Sequence, residues 1–247
     1  MNNIFLKKIK RNSEIALSFA TDINLKKINI MDELEKIKIY KDRLRIFLIL
    51  YFFSEDYSNP IYPTYKKLFI GETRIQKIDF WLRNPDYFSY ELLKIAYEEE
   101  DRKAEIKNIV KNIFENKEPI IRREEMEKFR FGAFEDISDV IAFLHSKDLI
   151  KFSSKRAIDS TVRDKKYFIT ETAVEKVENH ISSLTFLQWY VDRCQLIKKY
   201  FGEKSGTQLK DQQYELDMYR NTPSRSSFEN ILPLVAQNFY NLYNEQL

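Results

Sequence analysis

The chain has 247 residues, with 41 basic and 38 acidic side chains and a formal net charge of +3. A dedicated nucleic-acid binder usually has a larger basic excess, so any basic surface must be local. Aromatic residues make up 15% of the chain but only 4 Gly and 6 Pro are present, which favours helices over a many-stranded sandwich or barrel.

Residues 1–118 are predicted to form a helical block. Asp32 begins a sequence with the spacing of a capping box, which predicts a long helix whose second half is apolar on all sides. A second helix is expected at about 68–83. Because Asn is a strong N-cap and Pro favours the first helical position, Asn84-Pro85 predicts the start of a third helix.

Residues 119–183 are predicted to form a winged-helix module, in which helices precede a small β-hairpin, the wing. Residues 124–130 are expected to form a short helix, and Gly132 supplies a turn. Apolar residues at spacings of three, one and three then mark one face of an amphipathic helix. These residues are Ile137, Val140, Ile141 and Leu144.

Two short strands, at about 149–152 and 167–169, are expected to flank the polar and basic wing. Thr170 and Thr172 are both placed to cap the helix that follows. Residues 184–247 are then predicted to form a C-terminal helical segment, so the whole chain is expected to be mostly α-helical. The helices of this segment are expected at about 184–201, at about 207–220 and from about 228 onward.

Basic residues are concentrated in the wing. Residues 151–166 contain six of them and only two acidic residues, Asp159 and Asp164. Cations on a wing can bind DNA phosphates, so the sequence offers a local candidate for DNA binding. The candidate DNA-binding residues are Lys155, Arg156, Arg163, Lys165 and Lys166. The alternative is that the wing is only a solvated loop.

Residue types that carry catalysis are sparse. His145 and His180 lie in separate predicted helices with no Cys or carboxylate at metal spacing, so no metal site is expected. Glu91 and Lys94 look like part of a nuclease signature, but two residues lie between them instead of one, and on a predicted helix they fit a surface ion pair better. Without phosphate-binding or nucleophile motifs, we expect no enzymatic activity, no cofactor and no small-molecule substrate.

The single cysteine, Cys194, cannot form an internal disulfide and predicts a reducing compartment. Charges interrupt the apolar residues at the N-terminus, so no secretory signal is expected. The apolar run at residues 46–53 is far shorter than the roughly 20 residues needed to cross a bilayer. The sequence therefore predicts a cytoplasmic protein with no membrane partner.

Two classes of function are compatible with these patterns: a winged-helix DNA-binding transcriptional regulator, and a non-catalytic subunit of a larger assembly. Charged and aromatic residues near Pro85 and Gly132 could form a partner-binding patch, since aromatics and Arg are enriched at interfaces. The candidate partner-binding residues are Asp79, Trp81, Arg83, Asp86, Tyr87, Arg130 and Phe134. The alternatives are core packing for the aromatics and a mutual ion pair for Asp79 and Arg83.

Two segments resemble the middle component of bacterial ABC-ATPase three-component defence systems, the group that includes Lamassu. Residues 78–85 (IDFWLRNP) are similar to that family's LDFLLRYP stretch, with Asn84 in place of Tyr. Residues 129–136 (FRFGAFED) are similar to its R-[YF]-G-x-[WF]-[DE]-x-R-Y stretch, with Ala133 in place of the commoner Pro. Ile-Ser follows where Arg-Tyr is commoner, which puts any contact made by the family's Arg-Tyr in doubt.

This resemblance covers roughly residues 40–182 and implies a small non-enzymatic accessory subunit of an antiphage complex. Its implied partners are an SMC/Rad50-like ATPase and a nuclease effector, which the subunit would bridge or scaffold. Contact with DNA would then occur through the complex. The family has no catalytic residues to carry over to this chain.

Overall fold

The computed structural model describes residues 33, 35–130, 132–156, 162–180 and 184–247. The chain divides into two compact units, Met1–Leu44 and Arg45–Leu247. In the first unit, residues 35–44 are helical, and the predicted cap at Asp32 lies outside the described residues. The second unit, Arg45–Leu247, is one compact body.

The described residues are mostly helical. The helices are α1 at residues 35–52, α2 Glu72–Arg83, α3 Pro85–Glu98, α4 Lys103–Glu115, α5 Glu118–Ile121, α6 Ser138–Ser146, α7 Glu171–His180, α8 Gln188–Phe201, α9 Gly206–Glu215, α10 Asp217–Asn221 and α11 Leu232–Tyr243. The strands are β1 Glu55–Asp56, β2 Tyr65–Ile70, β3 Glu127–Lys128, β4 Ala133–Phe134, β5 Ile150–Arg156 and β6 Val162–Thr170. None of these helices is long and apolar enough to cross a membrane.

A four-stranded antiparallel sheet has the strand order β1-β2-β6-β5. In its register, Phe168 of β6 lies between Leu68 of β2 and Lys151 of β5. The hairpin of β5 and β6 agrees with the predicted wing strands. Strand β2 was not predicted, because its last residues, from 68 onward, were read as the beginning of α2.

The helix starts confirm part of the predicted capping. The hydroxyl oxygen of Thr170 accepts a hydrogen bond from the backbone N–H of Ala173 at 3.3 Å, which caps α7. Helix α3 begins at Pro85 as expected. Asn84, however, does not cap it with its side chain, because its amide donates to the backbone carbonyl of Phe80 at 2.9 Å.

The sequence predicted a short helix at residues 124–130, but the structure has none there. Strand β3 instead pairs with β4 in a small antiparallel hairpin. The C-terminal part of the chain holds this segment in extended form. The backbone N–H of Lys128 donates to Ser226 at 3.0 Å, and the N–H of Phe228 donates to Met126 at 3.4 Å. This pairing supplies backbone hydrogen bonds that override the helical propensity of the local sequence.

The C-terminal segment is divided differently from the prediction. Ser205 caps α9 with a full capping box that includes Gln208. The helix expected at about 207–220 is interrupted at Leu216, where the backbone is extended, so α9 and α10 are separate. The final helix begins at Leu232 and not near residue 228, because that part of the chain pairs with the β3 segment.

Candidate functional site

A cluster of buried charges lies in and beside α2. Asp79, which is 1% exposed, accepts hydrogen bonds from the guanidinium groups of Arg45 and Arg83. Arg83 also donates to the carboxylate of Glu135 and to the backbone carbonyl of Glu125. Removing these charges from water is costly, so the cluster depends on the mutual pairing of its members.

Asp86, at the start of α3, forms a second buried ionic contact. Its carboxylate accepts from the guanidinium of Arg123 at 3.0 Å and from the backbone N–H of Ile231 at 2.9 Å. Burial raises the pKa of Asp86, and these two donors oppose that rise. The carboxylate therefore fixes the chain that leads into α11 against α3.

Trp81 and Tyr87 belong to the aromatic core. The rings of Trp81 and Phe201 are 4.4 Å apart, and the rings of Tyr87 and Phe80 meet edge to face at 4.9 Å. The hydroxyl of Tyr87 donates to the backbone carbonyl of Glu229 at 2.9 Å. These contacts are internal, so neither ring forms an exposed stacking surface.

Five of the seven predicted partner-binding side chains are therefore buried, and they do not form the expected exposed patch. These are Asp79, Trp81, Arg83, Asp86 and Tyr87. The ion pair between Asp79 and Arg83 that the sequence allowed is present at 3.5 Å. It is one link in the larger cluster, whose other members come from distant positions.

The two remaining candidates, Arg130 and Phe134, lie on the hairpin of β3 and β4 and are exposed. Arg130 has a positive φ of 33°, and the ring of Phe134 lies 5.8 Å from that of Phe129. A cavity of about 260 Å³ lies between this hairpin and α2, and it is lined in part by Gln76 and Lys77. The hairpin thus presents one cation and one apolar ring beside a small recess.

Lys77 is the most unusual cation near this recess. Its side chain is 1% exposed, and its ammonium donates to the backbone carbonyl of Ala133 at 3.0 Å and to the Tyr219 hydroxyl at 3.4 Å. Burial, aided by the charge of Lys210, lowers the pKa of Lys77 to about 7. The sequence did not predict the burial of Lys77, because a lysine on a helix with several other charges is expected to face solvent.

A second concave surface lies between α6 and the β5–β6 hairpin, with a volume of about 420 Å³. Ile141 and Ala142 of α6 line one side of it, and Phe152 of β5 lines the other. Phe152 is 51% exposed and contacts the ring of His145 edge-on at 5.5 Å. This groove along α6 is open to solvent, and its lining is mixed, since Glu72, His145 and Lys165 line it beside the apolar residues.

The predicted DNA-binding cations do not share one face. Lys165 is ion-paired with Glu72 of α2, and the Tyr167 hydroxyl donates to the same carboxylate at 3.1 Å. Lys166 points to the opposite face, because side chains alternate along a strand. The side chains of the other three candidates lie outside the described part of the chain; they are Lys155, Arg156 and Arg163.

The outer face of the sheet, opposite the buried Tyr167 and Ile169, carries a set of stacked rings that the sequence did not reveal. The members of this aromatic row are Tyr57, Tyr62, Tyr65 and Phe168. Recognising the row required strand β2, which places Tyr65 beside the end of β6.

The described residues contain no group of three His, Cys, Asp or Glu side chains that could hold a metal ion. Cys194 is buried, and burial raises the pKa of its thiol, which keeps it protonated. No known family model, curated protein or solved structure matches this chain.

Proposed function

We propose that this protein is a non-catalytic accessory subunit of an antiphage defence complex, in which it binds an SMC/Rad50-like ATPase and a nuclease effector. The observation that carries the proposal is the contact between the two segments that resemble the Lamassu-like middle component. Arg83 of the first segment pairs with Glu135 of the second. Gln76, two residues before the first segment, exchanges two hydrogen bonds with Glu135, at 2.7 and 2.9 Å. Two short resemblances far apart in sequence are thereby parts of one structural unit.

The sheet and its neighbouring helices support a winged-helix reading of the second unit. The order β2-β6-β5, with α6 directly before β5, matches a winged helix whose first strand is β2. Helices α3 to α5 and the β3–β4 hairpin would then be an insertion between its second and third helices. In this proposal the module extends well beyond the segment at 119–183 that the sequence indicated.

The exposed side of α6 favours a protein partner over duplex DNA. A helix that reads the major groove presents Arg, Lys, Asn or Gln to the base edges. The exposed residues of α6 are instead small, acidic or a histidine: Ser138, Asp139, Ala142, His145 and Ser146. This favours the accessory subunit over the transcriptional regulator.

We place the protein-binding surface on the β3–β4 hairpin and the groove along α6. Phe134 is 38% exposed and Phe152 is 51% exposed. Exposed aromatic side chains beside recesses are typical interface anchors, and truncating an anchor often costs above about 2 kcal/mol, roughly a thirtyfold loss of affinity. Arg130 adds a guanidinium at the rim that can pair with a carboxylate of the partner.

The test is co-purification with an SMC/Rad50-like ATPase, to be sought among the products of the neighbouring genes. We expect the unmodified chain to co-purify with this ATPase, and the double variant Phe134→Ala/Phe152→Ala to lose most of it while keeping its thermal melt. Tyr240→Ala, on the exposed side of α11, is the matched control and should co-purify fully.

Failure of the unmodified chain to bind the ATPase would contradict the proposed function. Full retention of the ATPase by the double variant would contradict only the location of the surface. Sequence-specific binding of duplex DNA by the isolated chain would favour the regulator instead.

A further inference from the structure

The aromatic row on the outer face of the sheet has the geometry of a stacking platform. The rings of Tyr62 and Tyr65 are nearly parallel, at 8° and 5.1 Å, and those of Tyr65 and Phe168 are stacked at 29° and 5.0 Å. Tyr57 closes the other end, with its ring 5.2 Å from that of Phe168. Tyr62 is 51% exposed, so one more flat ring can continue the row on its open side.

The loop that carries Tyr62 is held in place before any ligand arrives. The Asn59 side chain accepts from the backbone N–H of Ile61 and donates to the Tyr57 hydroxyl, both at 2.9 Å. The backbone N–H of Tyr62 donates to Asn59 at 3.1 Å, and that of Tyr65 donates to Tyr62 at 3.1 Å. A preordered aromatic loses little conformational entropy on binding, which favours affinity.

Lysines follow the row on the same face. Lys151 of β5 lies directly beside Phe168 in the sheet register, and Lys166 lies two residues before Phe168 on β6. Lys151 is paired with Asp148 at 2.6 Å, whereas Lys166 has no ion pair with a described residue. These two lysines place positive charge beside the aromatic row.

We propose that the aromatic row binds single-stranded nucleic acid, with a base stacked on Tyr62 and the phosphates running past Lys151 and Lys166. Base stacking on aromatic side chains and a cationic track for the backbone are the two components of such sites. A duplex keeps its bases stacked on each other, so it cannot place one on Tyr62. This inference does not require the ATPase and goes beyond the proposed accessory role.

The direct test is fluorescence anisotropy of the full chain with a fluorescein-labelled oligothymidylate of about 20 nucleotides. We expect Tyr62→Ala to weaken binding on the order of tenfold, because one stacked base is lost. Tyr97→Ala replaces an exposed tyrosine of α3 that is not part of the row, so this variant should bind like the unmodified chain. Lys166→Glu should weaken binding and reduce its salt dependence between about 50 and 200 mM.

Tyr62→Phe keeps the stacked ring and serves as the folding control, since it should melt and bind like the unmodified chain. An oligouridylate of the same length separates the two sources of the ligand. Tighter binding of one strand type identifies DNA or RNA, and either result supports the platform.

The proposal is overturned if the unmodified chain does not bind oligothymidylate at low salt, or if Tyr62→Ala binds it equally well. A duplex that competes as strongly as the single strand would overturn it too. If Tyr62→Ala loses the ATPase but keeps the oligonucleotide, the row is a protein interface. Co-purification is measured separately, so failure here leaves the accessory role intact.

Discussion

Arg83 of α2 pairs with Glu135, which lies 52 residues later in the chain, and the two side chains join the two family-like segments. Arg83 is 4% exposed and Glu135 is partly buried, so much of this contact is screened from water. The same guanidinium also reaches Asp79 and the backbone carbonyl of Glu125. Arg83 is therefore a structural cation, and its replacement should act first on stability.

We expect Arg83→Met to lower the free energy of unfolding by about 3–5 kcal/mol, because it leaves buried carboxylates without one of their cations. Urea unfolding followed by circular dichroism measures the change. The exposed ion pair of Arg220 with Asp217 provides the control, and Arg220→Met should cost less than about 1 kcal/mol. Equal costs for the two variants would show that the buried cluster contributes no more than a surface pair.

Gly132→Ala should be far more destabilising than Gly71→Ala. Both glycines have positive φ, 98° and 92°, so both substitutions carry a similar backbone strain of about 1 kcal/mol. A Cβ at residue 132 would overlap the Tyr219 hydroxyl and lie 2.9 Å from the Lys77 ammonium, whereas one at residue 71 meets nothing within 4 Å. We expect an additional cost of about 1–3 kcal/mol for Gly132→Ala in thermal or urea unfolding. Equal costs would mean that the hairpin shifts away freely.

Glu91 should make the protein less stable as the pH rises from about 4.5 to about 7. Burial raises its pKa from 4.5 to about 7, against the opposing effects of Lys94 and Gln212. In this window the unfolded state releases the proton and the folded state keeps it, so stability falls with pH by up to about 3 kcal/mol. Glu91→Gln should flatten this part of the unfolding profile.

Glu98→Gln, an exposed position on the same helix, is the control for this measurement and should leave the slope unchanged. A Glu91→Gln profile that still falls as steeply as that of the unmodified chain would contradict the assignment to Glu91.

Lys77 should have the opposite effect at higher pH. Its pKa in the folded state is about 7, below its ordinary value of 10.5, so the unfolded state holds the proton more strongly between these values. Stability from this group therefore rises with pH across that window, by up to about 5 kcal/mol, and is lost as the pH falls back from 10.5 to about 7. Lys77→Met should remove the rise, whereas exposed Lys176→Met should keep it. Unchanged slopes in Lys77→Met would disprove the role of Lys77.

The sequence predicted those helices and strands that are specified by their own residues and not by distant pairing. The amphipathic spacing in α6, the start of α3 at Pro85 and the wing strands were recognisable for that reason. Strand β2 was missed because its Tyr-Lys-Lys start has no alternating pattern, and its partner β6 lies far along the chain. The β3 segment was misread because its extended form depends on pairing with residues 225–228.

The burial of the charged residues in the candidate site could not be predicted from the sequence, for a related reason. Aspartate side chains are usually exposed, so the sequence alone predicts that Asp79 and Asp86 face solvent. Their burial depends on Arg45 and Arg123, whose positions along the chain give no hint of the contact. The lowered pKa of Lys77 and the raised pKa of Glu91 also depend on the packing around them, so the sequence alone does not predict either shift.

The pairing of β2 with β6 has a consequence for the synthesis of the protein. As the chain leaves the ribosome, β2 emerges before α2 through α6 and has no β6 to pair with until these are complete. During that interval its unpaired backbone and the apolar side of the sheet are available to chaperones or to other nascent chains. Expression of residues 1–118 alone should therefore give aggregated material, and an N-terminal solubility partner should help full-length production more than a C-terminal one.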